Sequence, residues 1–192
     1  MILAYAIIVL IILAILFRRD LSALGQFSFR GGWIFIGGVM GLFILQAGLV
    51  TYAPGQSLWQ MIILNLSQIA LIALFLLNHQ IPGAKLFALG VALNVLVMVV
   101  NGGWMPVTPE MTHFVHPDRP VIEQVRPGSS KNIILPRSET NLWVLSDIIP
   151  VILPWRRNAV SVGDILLVAG TAQFIFQATA KKKRNTLAAG QV

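Results

Sequence analysis

The chain has 192 residues, 56% of them hydrophobic and only 11% charged, with a mean hydropathy of +0.78 and a formal charge of +7. Soluble domains carry about a quarter charged residues, so this composition points to a bilayer. The basic residues flank apolar segments instead of lining a groove, which excludes nucleic acid as a partner, and the absence of cysteine excludes disulfides, thiolate catalysis and Cys-ligated metal or iron–sulfur centres.

In chain order, five segments have the length and apolarity of membrane-crossing helices: roughly residues 2–17, 33–53, 59–78, 86–100 and 165–180. A helix rises 1.5 Å per residue, so about 20 residues cover the ~30 Å hydrocarbon core. The first and fourth are short and would borrow flanking residues or sit in a thinned bilayer. Lipid offers backbone groups no partners, so these segments are predicted as helices; strand alternation is not read anywhere in the chain. The fold class expected is all-α: a four-helix part over 1–100, an extracytoplasmic lid over 101–163, a fifth helix over 164–180 and a basic cytoplasmic tail over 181–192.

The first segment is not read as a signal peptide. No basic stretch precedes it and no small-residue cleavage site follows. Arg18 and Arg19 stand at its C-terminal end, and with Arg30, Lys85 and the four basic residues from Lys181 to Arg184 they hold one side of the membrane. The positive-inside rule then predicts a bacterial plasma-membrane protein with its N-terminus outside and C-terminus cytoplasmic, with Arg156 and Arg157 counting against that orientation. "YAPGQS" and "NHQIPGAK" place Pro-Gly between apolar runs, as a type II turn requires, so the second to fourth helices are predicted as antiparallel neighbours. Gly37 and Gly41 form a GxxxG pair, read first as a close-packing face within the chain and second as an oligomer contact.

No Asp, Glu, Lys, Arg or His lies within these spans, which argues against a proton-coupled carrier. Amides take that place: Gln46, Asn65, Gln68, Asn94, Gln173 and Gln177. Hydrogen bonding between helices is the favoured reading, worth about 0.6–2 kcal/mol per contact, with an amide-lined ligand cavity as the sharper alternative.

The polar segment begins with "NGGWMPV", where Asn101, Gly102 and Gly103 end a helix and Trp104 suits a membrane interface. Thr108-Pro109-Glu110 reads as a cap and first turn of a short helix to about His116. His113 and His116 would share its face, near Glu110 and Asp118, but a pair three apart without a third ligand at defined spacing is weak, so neither metal nor other cofactor is expected. "LWVLSDIIPVILPW", residues 142–155, is too short to span and is predicted as interfacial or re-entrant, with Trp143 and Trp155 as anchors. Ser161 and Asp164 form a capping box for the last helix. The Lys131 to Arg137 stretch lacks the Ser, Gly and His partner motif of a phosphate-binding loop and is not credited as one.

"NGGWMPV" (101–107), "SDIIP" (146–150) and "SVGDILLVAG" (161–170) resemble landmarks of an uncharacterised bacterial multi-span membrane protein family, the domain of unknown function DUF5317, from the first span through the last. Ser146 stands where that pattern leads one to expect glycine. The resemblance implies a multi-span inner-membrane protein and carries over no catalytic residue.

No assembled catalytic set, Walker loop or dinucleotide fingerprint occurs. The favoured function is a non-enzymatic accessory or scaffold protein whose lid binds a lipid or a membrane-protein partner. The alternative is a membrane-embedded enzyme or small-molecule carrier at the outer interface, with Asp147, Asp164, His113, His116 and Arg126 converging under the lid. Asn101, His113, His116, Asp147 and Asp164 are the candidate ligand-binding residues; catalytic residues and oligomeric state stay open.

Overall fold

The computed structural model describes residues 2–128 and 130–180; the basic tail lies outside the described residues. The chain is mostly helical. Its long elements are α1 (Ile2–Leu16), α2 (Gly32–Tyr52), α3 (Leu58–Leu77), α4 (Ala84–Val100) and α6 (Val162–Ala178), with a short α5 (Pro109–Val115) in the polar segment. α2 and α3 are long and apolar enough to cross a membrane; α1, α4 and α6 are shorter apolar helices of 15, 17 and 17 residues.

The helix ends follow local chemistry. Ser57 accepts from the Gln60 backbone N–H while the Gln60 side chain accepts from Ser57 N, a reciprocal cap that starts α3. Gly55 and Gly83, each with positive φ, supply the turns before α3 and α4. The principal contacts run in one row: α1 on α6, α6 on α4, α4 on α3 and α3 on α2. α2 and α1 are therefore the edges of the row, which explains why Ile8, Ile12, Ile34 and Ile44 are exposed.

The closest seam lies between α4 and α6. A Cβ built on Gly83 would fall 1.9 Å from Gly170 O, and one on Gly90 would fall 2.6 Å from Gly163 O. Gly83 and Gly90, and Gly163 and Gly170, are each two helical turns apart, so the antiparallel helices meet backbone to backbone at both ends of the seam. The GxxxG pair expected to make this kind of contact does not: nothing lies within 4 Å of a Cβ on Gly37, Gly41 or Gly48. α2 packs on α3 through other positions because it is an edge helix, and its glycines face outward. Among the amides, Gln46 and Gln68 bridge α2 and α3, and Asn65 ties α3 to the polar segment. Gln68 Nε2 donates to Gln46 Oε1 at 3.3 Å, the Ser67 hydroxyl donates to the same oxygen, and Asn65 Nδ2 donates to Gly103 O at 3.0 Å.

The polar segment is not purely helical, which corrects the all-α expectation. β1 (Met105–Val107) pairs in parallel with β2 (Asn132–Ile134), and β3 (Ile149–Leu153) pairs antiparallel with β4 (Arg156–Val160). The 142–155 run is therefore neither a spanning nor a re-entrant helix. A single 3-10 turn (Trp143–Leu145) leads into a hairpin, because Pro150 and Pro154 deny a helix its hydrogen bonds while Ile149, Val151 and Leu153 alternate with more exposed neighbours. Trp155 does stand exposed at the hairpin tip, against the edge of the Tyr5 ring. Trp104 is not an interfacial anchor. It is buried with Leu64, Val97, Met98 and Met105, where the polar segment closes over the ends of α3 and α4.

Candidate functional site

Three ionisable side chains act on one another where the chain entering β2, the approach to β3 and the start of α6 come together. Parallel pairing sets Met105 opposite Asn132, and Asp147 N donates to Pro106 O at 3.2 Å, so the chain before β3 is tied to β1. From β2, Asn132 Nδ2 donates to Asp147 Oδ2 at 2.6 Å, and Ser130 Oγ donates to Asn132 Oδ1 at 2.8 Å. Asp147 is only 4% exposed, and its Oδ1 is buried with no hydrogen-bond partner. Asp164 opens α6: its N–H donates to Ser161 Oγ at 3.0 Å, its Oδ2 accepts from Ser161 N, and its Oδ1 accepts from Asn94 Nδ2 at 3.0 Å. Asn94 in turn accepts from Ser161 Oγ at 2.7 Å. This fit needs Gly163, since a Cβ there would lie 2.2 Å from Asn94 Oδ1.

Lys131 stands between the two carboxylates electrostatically. Burial works against its ammonium, yet Asp164 and Asp147 outweigh burial and hold its pKa above the ordinary lysine value. Burial lifts Asp147 to about 6; Lys131 and the Asn132 hydrogen bond pull against that rise, while Asp164 adds to it. A carboxyl raised in the folded state binds its proton more tightly there than in the unfolded chain. Its contribution to stability is therefore fully present below the ordinary aspartate value and is lost as pH rises through about 6. His116 has the opposite sign, because burial first and then Arg119 and Arg156 hold it below its usual value. The difference between two proteins isolates Asp147. Between pH 4 and pH 7 the wild type should lose on the order of 2 kcal/mol relative to Asp147→Asn, read as diverging fluorescence melting curves in detergent.

The remaining sequence candidates go elsewhere. Asn101 Nδ2 donates to Val97 O at 2.7 Å and Asn141 O at 2.9 Å, and its Oδ1 accepts from Asn141 N, which ties the end of α4 to the polar segment. His113 is exposed on α5. His116 is half-buried at the end of α5, in the field of Arg119 and Arg156. Among the described residues no group of three His, Cys, Asp or Glu is placed to hold a metal ion.

Arg126 is a clamp. Its Nε donates to Gly55 O at 2.6 Å, Nη2 to Ala53 O at 2.6 Å, and Nη1 to Ser130 O at 2.6 Å and Val50 O at 3.4 Å, with the guanidinium 5.1 Å above the Trp104 ring. It therefore satisfies the last carbonyls of α2 and fastens the 119–128 loop to the α2–α3 turn. Between that loop, α5 and β2 lies a half-open cavity of about 450 Å³, lined by Thr112, His116, Arg119, Ile122, Val125, Arg126 and their neighbours.

The two Asp motifs thus act on one another through their charges, while His113 lies on α5, His116 ends it and Arg126 spends its guanidinium on backbone carbonyls. Sequence reasoning missed Lys131, Asn132 and Asn94. Lys131 sits in a stretch set aside for want of a phosphate-loop motif, and Asn94 looked like one amide among several.

Residues 26–176 match the family described as "Family of unknown function (DUF5317)". An uncharacterized protein of Thermotoga maritima is 38% identical over 119 residues, covering 62% of this chain and 64% of that relative, so the chain spans less than two thirds of the relative's length. No solved structure matches the chain. The family match runs from before α2 into the last turns of α6 and takes in Asn94, Arg126, Lys131, Asp147 and Asp164. The chain belongs to the DUF5317 family of unknown function.

Proposed function

We propose that this is a multi-pass bacterial plasma-membrane protein, N-terminus outside and C-terminus cytoplasmic, whose polar segment is an outer lid that binds a lipid or a membrane-protein partner without catalysing a reaction. Membrane residence is supported by exposure: only 6% of the apolar window of α2 and 22% of that of α3 are buried, whereas the core helix of a soluble protein is mostly buried. The five apolar helices would then be five spans, with α1, α4 and α6 short enough to require a thinned bilayer or apolar flanks.

The observation that carries the binding role is the cavity of about 450 Å³ beneath the Arg126-clamped loop. It falls within the usual size range of ligand sites and is walled by residues held in place from two sides. Asp164, Asn101 and Arg126 are committed to caps and tethers, and among the described residues no nucleophile hydrogen-bonded to a base stands beside them. A second reading keeps one specific support. Asp147, buried with a free oxygen near Lys131 and Asp164, has the raised pKa of a functional carboxyl, and it would be the centre of an enzyme or carrier.

Native and lipid mass spectrometry of the protein in nanodiscs, beside Asp147→Asn and Asp164→Asn, separates the two. The expected result is a lipid or protein partner retained by all three chains, with Asp164→Asn no more than less stable. A specific small molecule or metal that disappears in either variant would sink the non-catalytic reading.

A further inference from the structure

The lid cavity combines two chemistries. One wall is cationic: Arg119 and Arg126 line it with His116, and Arg156 is close enough to act on that imidazole. The other is apolar, made by Pro120, Ile122, Val125 and Ile134. No carboxylate lines it among the described residues; Asp118 and Glu123 flank the loop, exposed and outside the lining. Arg126 spends its donors on backbone carbonyls, which hold its charge at the cavity wall without neutralising it, since a carbonyl carries no full negative charge. Arg119 is exposed at the rim, so its guanidinium can close on a ligand in a bidentate pair.

Resting on the lid-binding reading above, we propose that this cavity is a site for a phosphate-bearing amphiphile. The anionic group would face Arg119 and His116, with the positive field of Arg126 behind, and the apolar body would lie on Ile122 and Val125. A volume of about 450 Å³ admits a phosphate headgroup with its first few carbons. The same chemistry is offered by an anionic phospholipid of the surrounding bilayer and by a free alkyl phosphate. The site lies beside the α2–α3 turn, where Tyr52 and Trp59 are exposed as aromatic residues are at a headgroup layer, so either source can reach it.

The test uses the full chain in nanodiscs, as wild type, Arg119→Gln, Val125→Trp and Lys85→Gln. The first variant removes the rim charge from an exposed side chain. The second fills the cavity without changing charge. The third removes a charge at the other end of the bundle. In discs of mixed phosphatidylcholine and phosphatidylglycerol, native mass spectrometry reads the phosphatidylglycerol retained. In discs of phosphatidylcholine alone, octyl phosphate is titrated by calorimetry.

A lipid source is expected to show as phosphatidylglycerol held by wild type and Lys85→Gln and lost about tenfold or more in Arg119→Gln and Val125→Trp. The same pattern for octyl phosphate identifies a free amphiphile. Binding that is equal in all four chains, or absent from all four, overturns the proposal. If a neutral lipid or a protein co-purifies through the lid while phosphate binding is absent, the lid-binding reading stands and the ligand class alone fails.

Discussion

Gly90→Leu is expected to abolish the folded bundle or to cost it about 3 kcal/mol or more. A Cβ at position 90 would lie 2.6 Å from Gly163 O and 3.0 Å from Leu167 N, and both are helix backbone. A side chain can turn aside, whereas a helix backbone can only move away as a unit. Separating α4 from α6 would also pull Asn94 from Asp164 and Ser161 and so unmake the cap of α6. Gly163→Ala should do nearly as much with a single methyl, because its Cβ would fall 2.6 Å from Gly90 O, which is helix backbone, as well as 2.2 Å from Asn94 Oδ1. Gly41→Ala is the contrast: it meets nothing within 4 Å, and its helix propensity should leave stability unchanged or better by up to about 1 kcal/mol. Fluorescence melting and size-exclusion chromatography in one detergent rank the three. A stable, monodisperse Gly90→Leu would show that the α4–α6 seam is not formed as described.

Arg126→Ala is expected to release the 119–128 loop at a cost of about 3 kcal/mol. The guanidinium serves four carbonyls, from Val50, Ala53, Gly55 and Ser130, and covers the Trp104 ring, so its loss leaves several acceptors without their charge-assisted donors. Gln60 Nε2 still reaches Ala53 O at 2.9 Å, so the end of α2 keeps one partner and the helix itself should survive. Arg126→Lys should recover less than half of the loss, because a single ammonium cannot reproduce the planar fork that spans these acceptors. Limited proteolysis reads the effect directly: cleavage between residues 119 and 128 should accelerate in Arg126→Ala, while α2 and α3 stay protected. Unchanged cleavage would mean that the loop is held by something other than Arg126.

These two expectations come from different depths of the structure. Gly90 and Gly163 were visible only as glycines in apolar helices, and the GxxxG spacing drew attention to Gly37 and Gly41 instead. That spacing reports that a close approach is allowed, not that a partner is there, and α2 at the edge of the row has no helix on that face. Arg126 was visible as a charged residue in a polar loop, with no sign that three of its four acceptors lay more than seventy residues earlier. Asp147 and Asp164 were both singled out, but their relation depended on Lys131, just before β2, and Asn132, at its start. A parallel β1–β2 pair joined by a 24-residue crossover leaves no local signal.

What the sequence by itself determined is what local chemistry controls. Apolar runs set five helices. Thr108 and Ser161 set two helix starts, and Pro-Gly pairs at 54–55 and 82–83 set two turns, because caps and turns need only neighbours within a few residues. Tertiary structure alone decided which helices touch, which glycines pack, that Trp104 is core, and that a lysine and two aspartates act on one another in the polar segment. Such contacts arise between residues tens of positions apart, where packing and burial act on the assembled chain and leave no period or spacing in the sequence.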